Sequence, residues 1–299
     1  MTKTYLITGG TGLVGKAFIE SLSTRCATIM VLTRDANKAR YLLGNHITAI
    51  EKLSLYHVEQ ADVILNLAGE PIADKRWSES QKSVICQSRW GITRQLVELI
   101  KRAETPPKLL ISGSAIGMYG RQAKCVVDES YTNYHQEFTH DVCTHWEKIA
   151  LSLPDKATRV AVIRTGIVLS SQGGALRKML FPFKIGLGGK VSDGKQMMSW
   201  IHIQDMVDAI KYIEENKTLV GPINLTAPTP VSNKVFSQAL ATQLNRPGIF
   251  TTPAWLLRLI LGEMSDLLLF GQSVMPKKLM DAGYKFKHST IDQAFKDLF

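Results

Sequence analysis

The sequence has no long hydrophobic run and no room for a leader peptide. Its most apolar stretch, residues 255–270, is interrupted by Arg258, Glu263 and Asp266, whereas a membrane-spanning helix needs about 20 mostly apolar residues. The first strand-like run already begins at Tyr5, which is too early for a signal or transit peptide. We therefore expect neither a membrane helix nor a secretion signal.

Cysteine is also scarce. The four cysteines, Cys26, Cys86, Cys125 and Cys143, are scattered along the chain and form no CxxC pair. Zinc-binding and disulfide-rich proteins space their cysteines closely, whereas isolated thiols are typical of reducing compartments. We therefore expect reduced cysteines and a cytoplasmic protein.

The chain is basic but contains no zinc pattern, no RNA-binding signature and no lysine–arginine run. Its 299 residues include 36 Lys and Arg against 26 Asp and Glu, which gives a formal net charge of +10. This charge favours anionic ligands, among them phosphorylated cofactors and substrates. Because no nucleic-acid motif accompanies it, we expect a small-molecule substrate and no nucleic-acid or membrane partner. An oligomer stays open.

A glycine pattern stands near the start of the chain. The apolar run at residues 5–8 leads into three glycines spaced three apart, and an amphipathic helical pattern follows. This is the context of a dinucleotide-binding turn, in which the glycines permit a tight turn, close approach of a pyrophosphate and close helix packing. The helix N-terminus then offers N–H groups to phosphate, and the alternative is a plain structural turn. The candidate cofactor contacts here are Gly9, Thr11, Gly12, Leu13, Val14 and Gly15.

The first half of the chain alternates strand-like runs with helical patterns, notably at 80–101 and 138–153. The runs are nearly continuous in Ile, Leu and Val, as in strands that are buried on both faces of a sheet. The alternation predicts an α/β fold built on a Rossmann-type, doubly wound parallel sheet. The strand candidates are residues 5–8, 28–33, 63–67, 109–112 and 160–164.

The rhythm changes after Arg164, where glycine pairs and then a mainly helical stretch follow. We predict an NADP-binding Rossmann domain at residues 1–165. Residues 166–299 are predicted to form a smaller, mainly helical substrate-binding lobe with a small C-terminal domain.

Two strand-like segments of the second half, near 198–203 and 223–227, either stay in that lobe or return to the core sheet. Asp205 is predicted to cap the helix that follows the first of them, because aspartate is a preferred N-cap residue. His202, just before it, is interpreted as structural.

The end of the second strand candidate bears on the choice between NAD and NADP. A carboxylate there accepts from the 2′-hydroxyl of NAD, whereas an arginine pairs with the 2′-phosphate of NADP. Thr33 occupies the expected acidic position and Arg34 follows it, so the sequence favours NADP(H). Asp35 keeps NAD(H) open, because its carboxylate would reach the ribose if the strand ended later.

Small residues end the next strand candidate. Leu67, Ala68 and Gly69 would let a dinucleotide lie across the strand ends, in the crevice where such sheets bind ligands. A tight strand-to-loop turn is the alternative. Ser112 and Arg164, at the ends of two further strand candidates, complete the predicted cofactor contacts.

Ser114 and Tyr119 are the candidate catalytic residues. A serine at the carboxyl end of a central strand is placed to bond a substrate hydroxyl or carbonyl group. Tyr119 follows the same strand end and would donate a proton if a neighbour lowered its pKa. Ordinary turn chemistry is the alternative for both, since Ser and Gly dominate turns.

Together these segments resemble the short-chain dehydrogenase/reductase superfamily, in its extended or atypical branch. More specifically, the chain resembles the epimerase family proteins, which are similar to NAD-dependent epimerases and dehydratases and have a small C-terminal domain. The resemblance implies a Rossmann core, a substrate lobe and an NAD(P)-dependent change at a carbinol carbon, with sugar nucleotides as the usual substrates. The matching segments are 9–15, 66–69, 112–120, 164–169, 186–189, 194–196, 199–203, 223–228 and 272–284.

One departure from the superfamily concerns its acid/base pair. Classical members place a tyrosine four residues before a lysine, which lowers the tyrosine pKa and holds the nicotinamide ribose. No tyrosine of this chain has a lysine at that spacing; Val142 and Trp146 stand where the pair belongs, with Glu147 as a candidate acid beside them. Two functions stay open: an NADP(H)-dependent oxidoreductase or epimerase (an isomerase) acting on a carbinol or carbonyl carbon, and a non-catalytic NADPH-binding sensor or scaffold.

Overall fold

A computed structural model describes residues 2–22, 27–122, 125–154 and 158–299; Cys26 lies outside them. The strands are β1 Lys3–Thr8, β2 Ala27–Leu32, β3 Ile47–Ile50, β4 Val63–Asn66, β5 Leu109–Ala115, β6 Val126–Val127, β7 Arg159–Thr165, β8 Ile167–Leu169, β9 Gly189–Val191, β10 Met197–Met198, β11 Trp200–His202, β12 Gly221–Leu225, β13 Val231–Ser232, β14 Phe250–Thr252 and β15 Ser273–Val274. The helices are α1 Leu13–Glu20, α2 Ala36–Leu43, α3 Leu55–Glu59, α4 Glu79–Arg102, α5 Phe138–Ala150, α6 Gly174–Lys184, α7 Ile203–Glu215, α8 Asn233–Gln243, α9 Ala254–Leu261, α10 Asp266–Leu269, α11 Lys277–Asp281 and α12 Ile291–Leu298. Two short 3-10 helices are Ile116–Tyr119 and Gly262–Ser265.

Seven strands form one parallel sheet in the order β3-β2-β1-β4-β5-β7-β12. The chain starts in the middle, builds outward to β3 and then crosses back to continue from β4. Such a reversal leaves a crevice at the carboxyl ends of the two central strands, where open α/β sheets bind ligands. Thr8 of β1 pairs with Leu32 and Asn66, which aligns three carboxyl ends at one edge. The predicted doubly wound parallel sheet is confirmed.

Helices cover both faces of this sheet because successive side chains of each strand point to opposite sides. In β1, Ile7 belongs to the core that includes Phe18 of α1 and Ile210 of α7. Its neighbour Leu6 belongs to the opposite core, with Leu96 of α4. Burial on both sides accounts for the near-continuous apolar character of the strands.

Some elements differ from the expectations. The sheet includes β3, which no strand prediction covered. The segment near 198–203 forms two short strands, β10 and β11, which pair with β13 and β8 rather than with the large sheet. The segment near 223–227 does supply a sheet strand, since β12 pairs with β7.

The prediction for Asp205 is wrong. Helix α7 begins at Ile203, and its N-cap is His202, whose Nδ1 accepts a hydrogen bond from the Gln204 N–H (3.2 Å). The Asp205 carboxylate instead accepts backbone N–H groups of Lys287 and His288 (2.7 and 2.9 Å). It thus ties α7 to a segment 82 residues later in the chain.

The last 70 residues are mainly helical, as predicted. Phe236 of α8 and Phe295 of α12 share a third core with Leu176 of α6 and Trp200 of β11. Within the part of the chain that the structure describes, no helix has the length and apolar character needed to cross a membrane.

Candidate functional site

The glycine turn (residues 9–15) connects β1 to α1 through close backbone contacts. Gly9 has φ +68°, and a Cβ there would lie 2.6 Å from the carbonyl oxygen of Leu67. A Cβ on Gly15 would lie 2.5 Å from the carbonyl oxygen of Gly9. Both distances are too short for any side chain, so these two positions require glycine to bring α1 against β1 and the loop after β4.

Gly12 differs from these two positions. Its φ of −78° suits any residue, and a Cβ would meet only the Gly9 carbonyl oxygen, at 3.2 Å. Gly12 is the N-cap of α1 and has no side chain to satisfy the first N–H groups of the helix, which include Leu13 and Val14. Thr11 and Gly12 are exposed, while Leu13 and Val14 are half-buried. An anion bound here would meet a bare helix N-terminus, so the turn fits a pyrophosphate.

Hydrogen bonds between buried side chains support the neighbouring strand end. Thr8 donates its hydroxyl to Asn66 Oδ1 (2.7 Å) and accepts the backbone N–H of Ala68 (3.1 Å). Asn66 Nδ2 donates to Thr93 (2.8 Å) and to the hydroxyl of Ser112 (3.3 Å). Ser112 is completely buried, so the structure places it beneath the strand ends, where it supports Asn66.

The loop after β4 and the end of β2 lie beside the glycine turn. Leu67 and Ala68 are half-buried and Gly69 is exposed, at the carboxyl end of the sheet. β2 ends at Leu32, so Thr33 is the first residue after the strand.

Asp35 and Arg34 have different surroundings. Asp35 is the N-cap of α2, and its carboxylate accepts the backbone N–H of Lys38 (2.9 Å). Arg34 is exposed, directly after Thr33. A carboxylate engaged by its own helix is a poorer ribose acceptor than a free one, whereas a guanidinium at the strand end suits a phosphate.

A buried polar network (Ser114, Tyr119, Glu147, Arg164 and Asn224) occupies the carboxyl ends of β5, β7 and β12. The Ser114 hydroxyl donates to Glu147 Oε1 (2.7 Å). Arg164 donates to both oxygens of the same carboxylate, through Nε and Nη2 (2.9 Å each). Ser114 and Arg164 meet because β5 and β7 pair in register at these positions.

Charge and burial oppose each other in this network. Glu147 and Arg164 are 4% and 2% exposed. Burial alone lowers the pKa of Arg164, but the hydrogen bonds and charge of Glu147 outweigh it, so the pKa of Arg164 is raised overall. The guanidinium therefore stays charged and fixes the carboxylate next to Ser114. All the hydrogen bonds of the Arg164 side chain go to Glu147 and Tyr119, so Arg164 holds these two members of the network in place.

Tyr119 is completely buried in the same network. Its hydroxyl donates to Asn224 Oδ1 (2.8 Å) and accepts from Arg164 Nη1 (3.0 Å). Burial raises the pKa of Tyr119 to about 12, against the opposing effect of Arg164. Proton donation by Tyr119 stays a prediction, and these surroundings disfavour it, because the hydroxyl is buried and already bonded to Asn224 and Arg164.

Two buried packing residues occupy the positions of the absent Tyr–Lys pair. Val142 and Trp146, on α5, are 3% and 6% exposed. The Trp146 indole donates Nε1–H to Thr93 (2.8 Å), and a Cβ on Gly113 would lie 2.9 Å from its ring. The Arg89 guanidinium lies 5.5 Å from the centre of the same ring.

Sequence reasoning left Asn224 and Thr93 without a role, although both bond residues of the site. Asn224 lies in the segment 223–228, which carried the resemblance, but nothing local indicates its contact with Tyr119. Thr93 lies within α4, and nothing in the neighbouring sequence distinguishes it from an ordinary helix residue.

Comparisons with known proteins agree with this architecture. The family model described as "NAD dependent epimerase/dehydratase family" matches residues 5–225, and one described as "Domain of unknown function (DUF1731)" matches residues 252–298. An epimerase family protein of Staphylococcus aureus (strain MRSA252) is 36% identical over 297 residues, which cover 99% of each protein.

Two solved structures have the same fold. A human epimerase family protein, solved with NADPH, has a TM-score of 0.89 and 29% identity over 99% of this chain and 98% of that chain. A nucleoside-diphosphate sugar epimerase from Corynebacterium glutamicum has a TM-score of 0.80 and 30% identity, and covers all of this chain but 58% of that one. These matches confirm the resemblance found in the sequence: the chain belongs to the NAD dependent epimerase/dehydratase family.

Proposed function

We propose that the protein binds NADP(H) across the carboxyl ends of β1, β2, β4 and β5 and acts as an oxidoreductase or epimerase at a carbinol or carbonyl carbon. The observation that carries this proposal is the glycine turn, where Gly9 and Gly15 are required by packing but Gly12 is not. A glycine without a packing reason, at a bare helix N-terminus, is what the close approach of a pyrophosphate needs.

The preference for NADP(H) rests on Arg34 and Asp35. Asp35 caps α2 through Lys38, which leaves the guanidinium of Arg34 as the group suited to a 2′-phosphate. The human relative solved with NADPH is consistent with this choice. NAD(H) is the alternative cofactor.

Ser114 and Glu147 supply a route for a proton. A bound nicotinamide would supply the hydride exchange at the substrate carbon. In the oxidising direction, Ser114 Oγ accepts the proton of the substrate hydroxyl and passes its own proton to Glu147 Oε1, 2.7 Å away. In the reducing direction, both protons return. Arg164 holds the Glu147 carboxylate in place beside Ser114.

For the substrate we propose a sugar nucleotide, a small molecule whose phosphates suit a chain of net charge +10. The nucleoside-diphosphate sugar epimerase similar to this chain supports the class. Residues 166–299 would form the substrate lobe and residues 1–165 the cofactor domain. A cytoplasmic location and the absence of a nucleic-acid partner stay predictions.

A second function, a non-catalytic NADPH-binding sensor or scaffold, is favoured by Trp146. Its indole packs on Gly113 and bonds Thr93, so no cationic side chain reaches the place of the absent lysine from that position of α5.

A screen with sugar nucleotides and small carbonyl compounds separates the two functions, provided that it follows both NADPH oxidation and epimerised product, because an epimerase regenerates its cofactor. On a substrate that turns over, Ser114→Ala should lower kcat by about 100-fold or more, while NADPH binding is kept. Ser152→Ala, at an exposed position, is the matched control and should retain full activity. Full activity of Ser114→Ala contradicts the proton route, and tight NADPH binding without turnover across the screen favours the sensor.

A further inference from the structure

A second group of ionisable side chains lies outside the buried polar network. The two-histidine cluster (His202, His288, Asp205 and Asp297) joins the start of α7 to the C-terminal segment. Its two histidine rings stack, with centres 3.8 Å apart and planes 35° from parallel.

Asp297 of α12 faces both ring edges. Its Oδ2 lies 3.3 Å from His202 Nε2, and its Oδ1 lies 3.8 Å from His288 Nε2. Ligand atoms around a tetrahedral Zn²⁺ are separated by similar distances, because Zn–N and Zn–O bonds of about 2.0–2.2 Å set them. The Asp297 side chain is 57% exposed, so a bound ion would keep contact with water.

Asp205 orients His288 rather than supplying a ligand atom of its own. Its Oδ2 lies 3.1 Å from His288 Nδ1, and its oxygens also accept the backbone N–H groups of Lys287 and His288. With Nδ1–H donated to a carboxylate, the neutral His288 ring presents the lone pair of Nε2. A carboxylate behind a histidine in this way is the usual support of a metal ligand.

His202 supplies an unpartnered atom. Its side chain is 2% exposed, and its Nε2 has no hydrogen-bond partner among the described residues, because the approach to Asp297 lacks hydrogen-bond geometry. His202, His288 and Asp297 all line one cleft of about 750 Å³, bounded on its other side by α1 and by residues 170–172. A buried polar atom without a hydrogen-bond partner is rare in proteins, and a bound ion is one of the groups that can satisfy it.

We propose that His202, His288 and Asp297 bind a divalent first-row transition metal such as Zn²⁺, with Asp205 orienting His288. Two imidazoles and one carboxylate, each reached from a different element, are a ligand set that suits Zn²⁺ and its neighbours rather than Mg²⁺ or Ca²⁺. The ion would connect β11, the segment before α12, and α12 itself.

Binding changes the tautomer of His202. In the metal-free ring, Nδ1 accepts from the Gln204 N–H at 3.2 Å, so the proton of the neutral ring is on Nε2. Coordination through Nε2 moves this proton to Nδ1 and gives up one long hydrogen bond.

The test titrates the full-length, tag-free protein with Zn²⁺ by calorimetry and with Co²⁺ by visible absorption. We expect one ion per chain, a tetrahedral Co²⁺ spectrum and a higher Tm with Zn²⁺, since an ion that binds only the folded state stabilises it. Asp297→Ala and His288→Ala should bind at least ~10-fold more weakly and lose the Tm rise.

Two controls separate this site from surface binding. Asp292→Ala removes an exposed acid from the same helix as Asp297, and His46→Ala removes an exposed histidine elsewhere; both should bind as the wild type does. The proposal is overturned if the wild type binds neither ion, or if Asp297→Ala binds as tightly as Asp292→Ala. Asp297 is an exposed residue, so loss of binding in its variant cannot be attributed to unfolding when the far-UV spectrum is unchanged.

Discussion

The carboxyl edge of the sheet is built differently at its two ends. In the glycine turn, the approaches that require Gly9 and Gly15 are to backbone atoms, of Leu67 just after the neighbouring strand β4 and of Gly9 in the turn itself. In the buried polar network, side chains from β5, α5, β7 and β12 meet, and the bond between Tyr119 and Asn224 spans 105 positions. The comparison indicates that Gly12 can be changed at little cost in stability, whereas removing a charged member of the network is costly.

Within the network, the largest effect on stability is expected from Glu147→Ala, which leaves the charge of Arg164 buried without a carboxylate. Removing one partner of a buried ion pair costs about 3–5 kcal/mol of unfolding free energy. Urea denaturation measures it. Lys277→Ala, which removes half of a pair whose side chains are more than half exposed, is the control and should cost less than about 1 kcal/mol. A loss of similar size in both variants would contradict the role given to the network.

Gly12→Val should weaken cofactor binding at the glycine turn and leave the fold intact. We expect NADPH affinity to fall by about 100-fold, roughly 2.7 kcal/mol, because the Val side chain occupies the space before the helix N-terminus. The cooperative melt without ligand should persist. Two other glycines bracket this result. In Gly91→Ala, within α4, the added Cβ meets no atom within 4 Å, so NADPH affinity should be unchanged and the melt should not fall. Gly15→Val should lose the fold. Fluorescence titration with NADPH and thermal melts test all three; unchanged affinity in a folded Gly12→Val would remove the main support for the cofactor site.

Arg34→Ala sharpens the comparison within the cofactor site. Loss of a charge-assisted bond to the 2′-phosphate should cost about 1.5–3 kcal/mol of NADPH binding and leave NADH binding nearly unchanged. Titration of both proteins with both cofactors measures the difference. Equal affinity of the wild type for NADPH and NADH would refute the preference.

The smallest effect is expected at the opposite, amino edge of the sheet. The backbone N–H of Thr4, and then Lys108, lower the pKa of Asp62. A lowered pKa stabilises the fold above the unfolded-state value of about 3.9, and this contribution is lost as the pH falls through the folded-state value. The carboxylate is 33% exposed, so solvent screening limits the effect to less than about 1 kcal/mol. Asp62→Asn should be less stable than the wild type at pH 7 and equally stable at the lowest pH. A difference in unfolding free energy that grows as the pH falls would contradict this prediction.

The sheet and the turn could be predicted from the sequence because both depend on patterns among neighbouring residues. Apolar runs placed β1, β2, β4, β5 and β7 within a few residues of their observed bounds, and glycine spacing placed the turn. The strand β3 was not predicted because its four residues, Ile47–Ile50, are interrupted by the polar Thr48 and are too few to form a recognisable apolar run.

The network and the histidine cluster were harder to predict, since their partners are far apart in the chain. Asp205 has the local signature of a helix cap, yet its carboxylate bonds Lys287 and His288 instead. Such a choice depends on which segment the fold brings alongside. No periodicity or spacing near position 205 carries that information.

The strand β12 has a consequence for how the chain is made. β7 ends at Thr165, but its outer neighbour begins only at Gly221. At a synthesis rate of ~5–20 residues per second, the edge of β7 waits roughly 3–11 s for its partner to leave the ribosome. An unpaired edge strand is a template for another chain. In a nascent or truncated chain that stops near residue 165, the free edge of β7 can therefore pair with another chain. The second half of the protein prevents this by supplying β12.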